Sequence, residues 1–156
     1  MIETATLLAE HRHADLSRAL ALIAGNWRDA NFTRWIDPQR VLAEAWNKGR
    51  LAGAKARLAA GERAPAIKVV GYRWNSDWTI YDPSDGVHRT VAAREAGKHV
   101  KAQITGYYRI RPQQCLLRGD DLWRRCKPNC SLEYIDHVDA ISDAERAALI
   151  ALGVRQ

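Results

Sequence analysis

The chain has 156 residues, 47% of them hydrophobic and 27% charged, which suits one domain with a core of its own. Its net charge of +6 favours acidic partners such as nucleotides or nucleic acid, an excess that governs encounter rather than chemistry. No apolar run reaches the roughly 18 residues of a membrane-spanning helix, no signal-peptide pattern opens the chain, and three cysteines cannot all pair with one another, so the expectation is a soluble, cytoplasmic protein with reduced thiols and no membrane partner.

In chain order, Leu7, Leu8, Leu16, Leu20 and Ile23 recur at helical spacing and predict an amphipathic helix over residues 5–25, stopped at Gly25. Asp37-Pro38 opens a second helix predicted through Trp46, with Asp37 as cap and Pro38 in the first turn. Gly49 and Gly53 interrupt it before a basic, Ala-rich continuation to Leu58, and on its face Glu44 and Lys48 form an i, i+4 pair. Gly61-Glu62-Arg63-Ala64-Pro65 reads as a loop without a role in any site. Ile67 to Val70 and Trp78 to Tyr81 are β-branched or aromatic runs flanking the turn signal Asn75-Ser76-Asp77. Val87, Val91, Ala92 and Ala96 then share a helical stripe that Gly97 closes, and a strand follows from Val100 to Ile110. Beyond Pro112 come the turn signals Gly119-Asp120-Asp121 and Lys127-Pro128-Asn129 and then two short helical stretches, with Ser142-Asp143-Ala144-Glu145 a capping box for a helix ending near Gly153.

The segment richest in chemistry is Asp85-Gly86-Val87-His88-Arg89-Thr90, at a strand-to-helix junction. A glycine there lets backbone N–H groups approach an anion, and the helix N-terminus adds its partial positive charge. Arg89 offers a fork of donors matching phosphate, with Thr90 and His88 beside it. His88 has three uses open to it: touching phosphate, stacking, or satisfying a local carbonyl. A carboxylate at Asp85 would repel phosphate unless it binds Mg²⁺ or acts as a base; its other reading is simply to fix the turn.

Residues 78–104, WTIYDPSDGVHRTVAAREAGKHVKAQI, resemble the nucleotide-binding box of the ParB/sulfiredoxin superfamily, in the Asp-Gly-x-His-Arg form seen in sulfiredoxins, free-serine kinases and phage or plasmid ParB-like proteins. Ile36-Asp37-Pro38-Gln39-Arg40-Val41 is similar to the family's earlier motif, whose basic residue reaches the phosphates. The resemblance, over roughly residues 34 to 110, implies an α+β fold: a small mixed sheet with flanking helices, extended by a helical N-terminal segment (1–33) and a C-terminal segment (111–156) within one domain. It implies nucleotide binding, ATP or CTP, through Gly86, His88, Arg89 and Thr90, helped by Arg40. A Mg²⁺-dependent hydrolase, nuclease or phosphotransfer reaction would use Asp85 or Glu44 as the catalytic carboxylate. Two departures bound the activity. Sulfiredoxins carry their nucleophilic cysteine where this chain has Val87, which excludes that reaction, and no helix-turn-helix domain or third nucleotide motif of a full partition ParB follows the core.

The alternative is a DNA-binding or protein-interaction module of plasmid or phage type with a vestigial nucleotide site. Arg118, Arg124, Arg125 and Lys127 form the densest basic cluster and the candidate contact with a DNA backbone. Six tryptophans are many for this length and suit a core or a protein interface. Cys115, Cys126, Cys130 and His137 are zinc-compatible in type, but no C-x-x-C pair exists and no metal site is assigned.

Overall fold

The elements of the computed structural model run α1 (Thr4–Glu10), α2 (His13–Ile23), β1 (Ala24–Ile36), α3 (Lys48–Ala59), β2 (Ile67–Asn75), β3 (Trp78–Asp85), α4 (Val87–Glu95), β4 (Val100–Ile110), β5 (Cys115–Arg118), β6 (Asp121–Arg125), β7 (Leu132–Ile135) and α5 (Asp143–Ala151). Single 3-10 turns sit at Pro38–Arg40 and Pro112–Gln114. The structure describes residues 3–75, 77–125, 132–135 and 141–156. The chain is mixed α+β and divides into two units, Asn26–Tyr108 and a terminal unit of Met1–Gly25 with Arg109–Gln156.

In the Asn26–Tyr108 unit the strands are ordered β1-β4-β2-β3. β2 and β3 pair antiparallel, with Gly71 opposite Tyr81 and Arg73 opposite Thr79. Thr105 Oγ1 donates to Val69 O at 3.2 Å, and the Tyr107 ring lies against Gly71, so β4 advances in step with β2. Gln103 bonds Asn31 while Gly106 faces Trp27, so β1 runs against β4 and the sheet is mixed. Ile67, Val69, Val100, Ala102 and Ile104 meet Val91 and Ala93 of α4 in the core.

The helix expected over Pro38–Trp46 does not form. After the turn at Pro38–Arg40, Val41 bridges Tyr81, and the Leu42 N–H donates to Tyr81 O at 2.8 Å. Arg94 of α4 donates to Pro38 O, Val41 O and Ala43 O, claiming carbonyls that a helix would use internally. Tertiary partners thus outcompete the local pattern. The helix begins instead at Lys48, where the Asn47 side chain accepts from the Arg50 N–H at 2.9 Å, and it runs through both Gly49 and Gly53. Without helix over 44–48, the expected Glu44–Lys48 pairing loses its geometric basis. α4 matches the expectation, ending with Gly97 at φ 67 and its N–H on Arg94 O.

In the terminal unit, the expected helix over 5–25 is two helices split at His11 and Arg12, both extended. Leu7 on the first and Leu16, Leu20 and Ile23 on the second are all buried. The residues following are strand rather than helix stop: Ala24 opens β1, so the segment 1–33 is not wholly helical. Past Pro112, β5, β6 and β7 form an antiparallel meander, and β7 at Leu132–Ile135 takes part of the stretch after Asn129 where helix was expected. The meander's signal is the alternation of Cys115 and Leu117, both buried, with Leu122 buried opposite Leu117 and Gly119 at φ 59 in the turn. The Ser142 cap is formed as expected, its Oγ accepting from the Glu145 N–H at 3.1 Å, and Glu145 meets Arg18 of α2 at 2.8 Å.

Candidate functional site

Gly86 turns the chain from β3 into α4 with φ 90 and ψ 26, a left-handed conformation that glycine adopts without penalty. A side chain there would also collide with Ile67, whose Cγ2 stands 2.1 Å from the ideal Cβ position. Gly86, as the N-cap residue, has no side chain with which to cap the donors of the first turn. The expected phosphate residues leave this point in different directions. Arg89 donates to Pro65 O and, at 3.3 Å, to Asp85 Oδ2. Thr90 turns inward, fully buried, its hydroxyl on Gly86 O at 2.9 Å, which makes it a structural residue of the turn. His88 leans the other way: its Nε2 accepts from the Asn47 N–H at 3.2 Å, placing the proton of the neutral ring on Nδ1. The ring meets Trp46 edge-on at 5.0 Å, and the Arg50 guanidinium lies 4.7 Å from the centre of the Trp46 ring.

Arg40 is not brought to this junction. Its guanidinium bonds Asp77 O at the opposite end of β3, roughly 30 Å from Gly86 along the chain at ~3.3 Å per strand residue. Nor are the two candidate carboxylates joined: Asp85 is exposed beside Arg89, while Glu44 acts electrostatically on Arg94. Burial is the main influence lowering the Arg94 pKa.

What the junction does adjoin is a cleft of about 760 Å³. Arg57 of α3, Arg63 of the following loop, Arg89 of α4 and Lys101 of β4 supply its positive charge, and His99 joins them. Glu62 is the one carboxylate among its described walls. Trp35, 64% exposed, contributes an aromatic face, with Ile67 and Val100 as apolar floor. The Gly61–Pro65 loop, read in the sequence as having no part in a site, is therefore a wall of the cleft. Arg57, Arg63 and Lys101 escaped sequence reasoning because they come from three separate elements. The only local signal was the short link from Arg63 to the strand at Ile67.

No family model, curated protein or solved structure matches this chain. Its chemistry rests on these side chains alone.

Among the described residues, no three His, Cys, Asp or Glu side chains gather as a metal cage. Cys126, Cys130 and His137 of the zinc-compatible set lie outside the described residues, as does Lys127 of the basic cluster. Cys115 is buried, and burial pushes its thiol up from 9.0 to about 11. The remaining basic cluster is divided between the two faces of its sheet. Arg124 lies opposite Cys115 on the inner face and donates to Ala24 O at 3.2 Å, whereas Arg118 and Arg125 have the opposite alternation.

Proposed function

We propose that this protein binds a nucleotide, ATP or CTP, by its phosphates in the cleft beside Gly86. The carrying observation is the convergence of Arg57, Arg63, Arg89 and Lys101 around one opening with a single opposing carboxylate. Such a wall attracts a polyanion, and the first turn of α4, which the N-cap Gly86 leaves without a side-chain cap of its own, adds backbone donors of the same sense. Trp35 gives a base a flat, exposed ring to stack on. Phosphate entering the site competes with Asp85 for Arg89, since their contact at 3.3 Å is exposed and weak. Asp85, once released, is the carboxylate that would hold a Mg²⁺ ion, and such an ion would supply charge neutralisation for phosphohydrolase, nuclease or phosphotransfer chemistry.

The resemblance of Asp85-Gly86-Val87-His88-Arg89 to the ParB/sulfiredoxin nucleotide-binding box supports the same reading. Titration calorimetry with ATP, CTP and GTP, with and without Mg²⁺, tests it. Micromolar binding that Arg89→Ala abolishes while the thermal transition persists is the expected result. Absence of binding by all three nucleotides, or unchanged affinity in Arg89→Ala, overturns it.

A protein-interaction module is the second reading. One observation favours it: Trp27, Phe32 and Trp35 on the outermost strand β1 are 43%, 42% and 64% exposed.

A further inference from the structure

A second cationic cluster lies on the sheet near the β2–β3 turn, remote from Gly86. Gly71 and Tyr81 face each other across β2 and β3, and Arg73 faces Thr79 two pairs further on. The Tyr107 ring crosses from β4 over Gly71, so close that a Cβ at residue 71 would lie 2.5 Å from its Cδ1. Only glycine admits the ring there. Arg73 stacks on that ring with its guanidinium carbon 3.9 Å from the centre, and Phe32 of β1 flanks it at 6.3 Å. Arg34, Arg73 and Arg40 all act electrostatically on the Tyr81 hydroxyl, as does Tyr107.

Three guanidinium groups around two phenols call for a counter-charge. None of the ion pairs among the described residues involves Arg34, Arg40 or Arg73. Arg40 spends one bond on the Asp77 carbonyl, which is neutral. Tyr107 is 6% exposed, yet its buried hydroxyl has no hydrogen-bond partner among the described residues, and the Arg73 Nε is likewise buried without one. Buried donors left unsatisfied are costly, and like charges gathered without an anion add repulsion. The arrangement becomes favourable when an acceptor of negative charge completes it.

We propose that Arg34, Arg40, Arg73, Tyr81 and Tyr107 form an anion site for a phosphoryl group, separate from the cleft beside α4. The guanidinium groups provide charge-assisted bonds to its oxygens, and the two phenols donate to those that remain. Arg40, matched by motif to the Gly86 phosphate site, serves this second one. The ring of Tyr107, held flat by Gly71 and covered by Arg73, gives the site a rigid side.

Calorimetric titration of the full chain with inorganic pyrophosphate, alongside a single-stranded oligonucleotide, tests the site and its source of phosphate. Pyrophosphate binding that weakens at least tenfold in Arg73→Gln and in Arg34→Gln, and persists in Arg89→Ala, is the expected result. Arg34 is exposed on β1, so its variant keeps the test valid if Arg73→Gln fails to fold. Tyr107→Phe, which removes only the hydroxyl, should weaken binding as well. Tighter binding of the oligonucleotide through the same arginines would name a nucleic-acid backbone as the source; preference for pyrophosphate would name a small molecule. No binding by either probe, or binding lost in Arg89→Ala and untouched by Arg34→Gln, overturns the proposal. Because Arg89 and Arg34 report separately, failure here is distinct from failure of the nucleotide reading.

Discussion

Gly86→Ala tests how tightly the turn into α4 is built. Two penalties apply. The left-handed backbone at φ 90 costs a residue with a Cβ about 1–2 kcal/mol. The new methyl would also stand 2.1 Å from Ile67 Cγ2 and 2.7 Å from Ile67 Cβ, in a fully buried residue, and overpacking of this kind costs about 1–3 kcal/mol. The sum is about 2–5 kcal/mol, or a fall of roughly 5–15 °C in Tm for a chain of this size. Gly97→Ala is the internal control: its φ is 67, but nothing lies within 4 Å of the added Cβ, so it carries the backbone penalty alone. Urea unfolding of both variants, with Ile67→Ala in each background, separates the terms. Ile67→Ala removes Cγ2, so the double variant Ile67→Ala/Gly86→Ala should be more stable than additivity predicts by about 1 kcal/mol. Equal losses in Gly86→Ala and Gly97→Ala, with strict additivity, would refute the close packing of Ile67 on this turn.

Other consequences can be checked with the same material. Arg94→Gln strips the donors from Pro38 O, Val41 O and Ala43 O and should cost about 2–3 kcal/mol, with Arg94→Lys a poor substitute because an ammonium lacks the planar fork; denaturant midpoints measure both. Burial holds Cys115 protonated up to about 11 against an ordinary 9.0, so maleimide at pH 8 should leave the Cys115 peptide unlabelled in the native protein and label it after unfolding, read by mass spectrometry. Tyr72 is raised from 10.0 to about 12, chiefly by burial and then by Asp82. Both groups therefore keep their protons longer when folded. Their contribution to stability is full below about pH 9 and is lost as pH rises toward 12, so thermal scans across that window should show falling Tm, with Tyr72→Phe flattening the upper part. Arg124→Gln should lower stability through the lost bond to Ala24 O and leave DNA affinity, if measured by salt-dependent titration, to Arg118 and Arg125.

Elements whose signals are local were legible in the sequence. The β2–β3 hairpin follows from β-branched runs around Asn75-Ser76-Asp77, with Asn75 Oδ1 accepting from the Asp77 and Trp78 N–H groups. α4 and its left-handed stops, and the Ser142 cap of α5, follow from glycine and hydroxyl chemistry confined to one turn. The junction at Gly86 was visible for the same reason: a glycine, an arginine and a helical stripe are adjacent in the chain.

Tertiary structure decided the rest. Pro38–Ala43 has a fair helix start, yet the edge of β3 takes its Leu42 N–H and Arg94 takes its carbonyls from 51 to 56 residues away. The strand at Ala24–Ile36 is mostly exposed, so it carries no alternation for a reader to find. Arg40 sits in the motif that resembles a phosphate contact, but the course of β3 sends it to Asp77 and the Tyr81 cluster. The cleft's cations come from α3, a loop, α4 and β4. A sequence encodes which residues can cap, turn or line a helix face, because those interactions close within a few residues. Which cations share a cleft depends on how strands and helices stack, and that is settled by core packing among residues far apart in the chain.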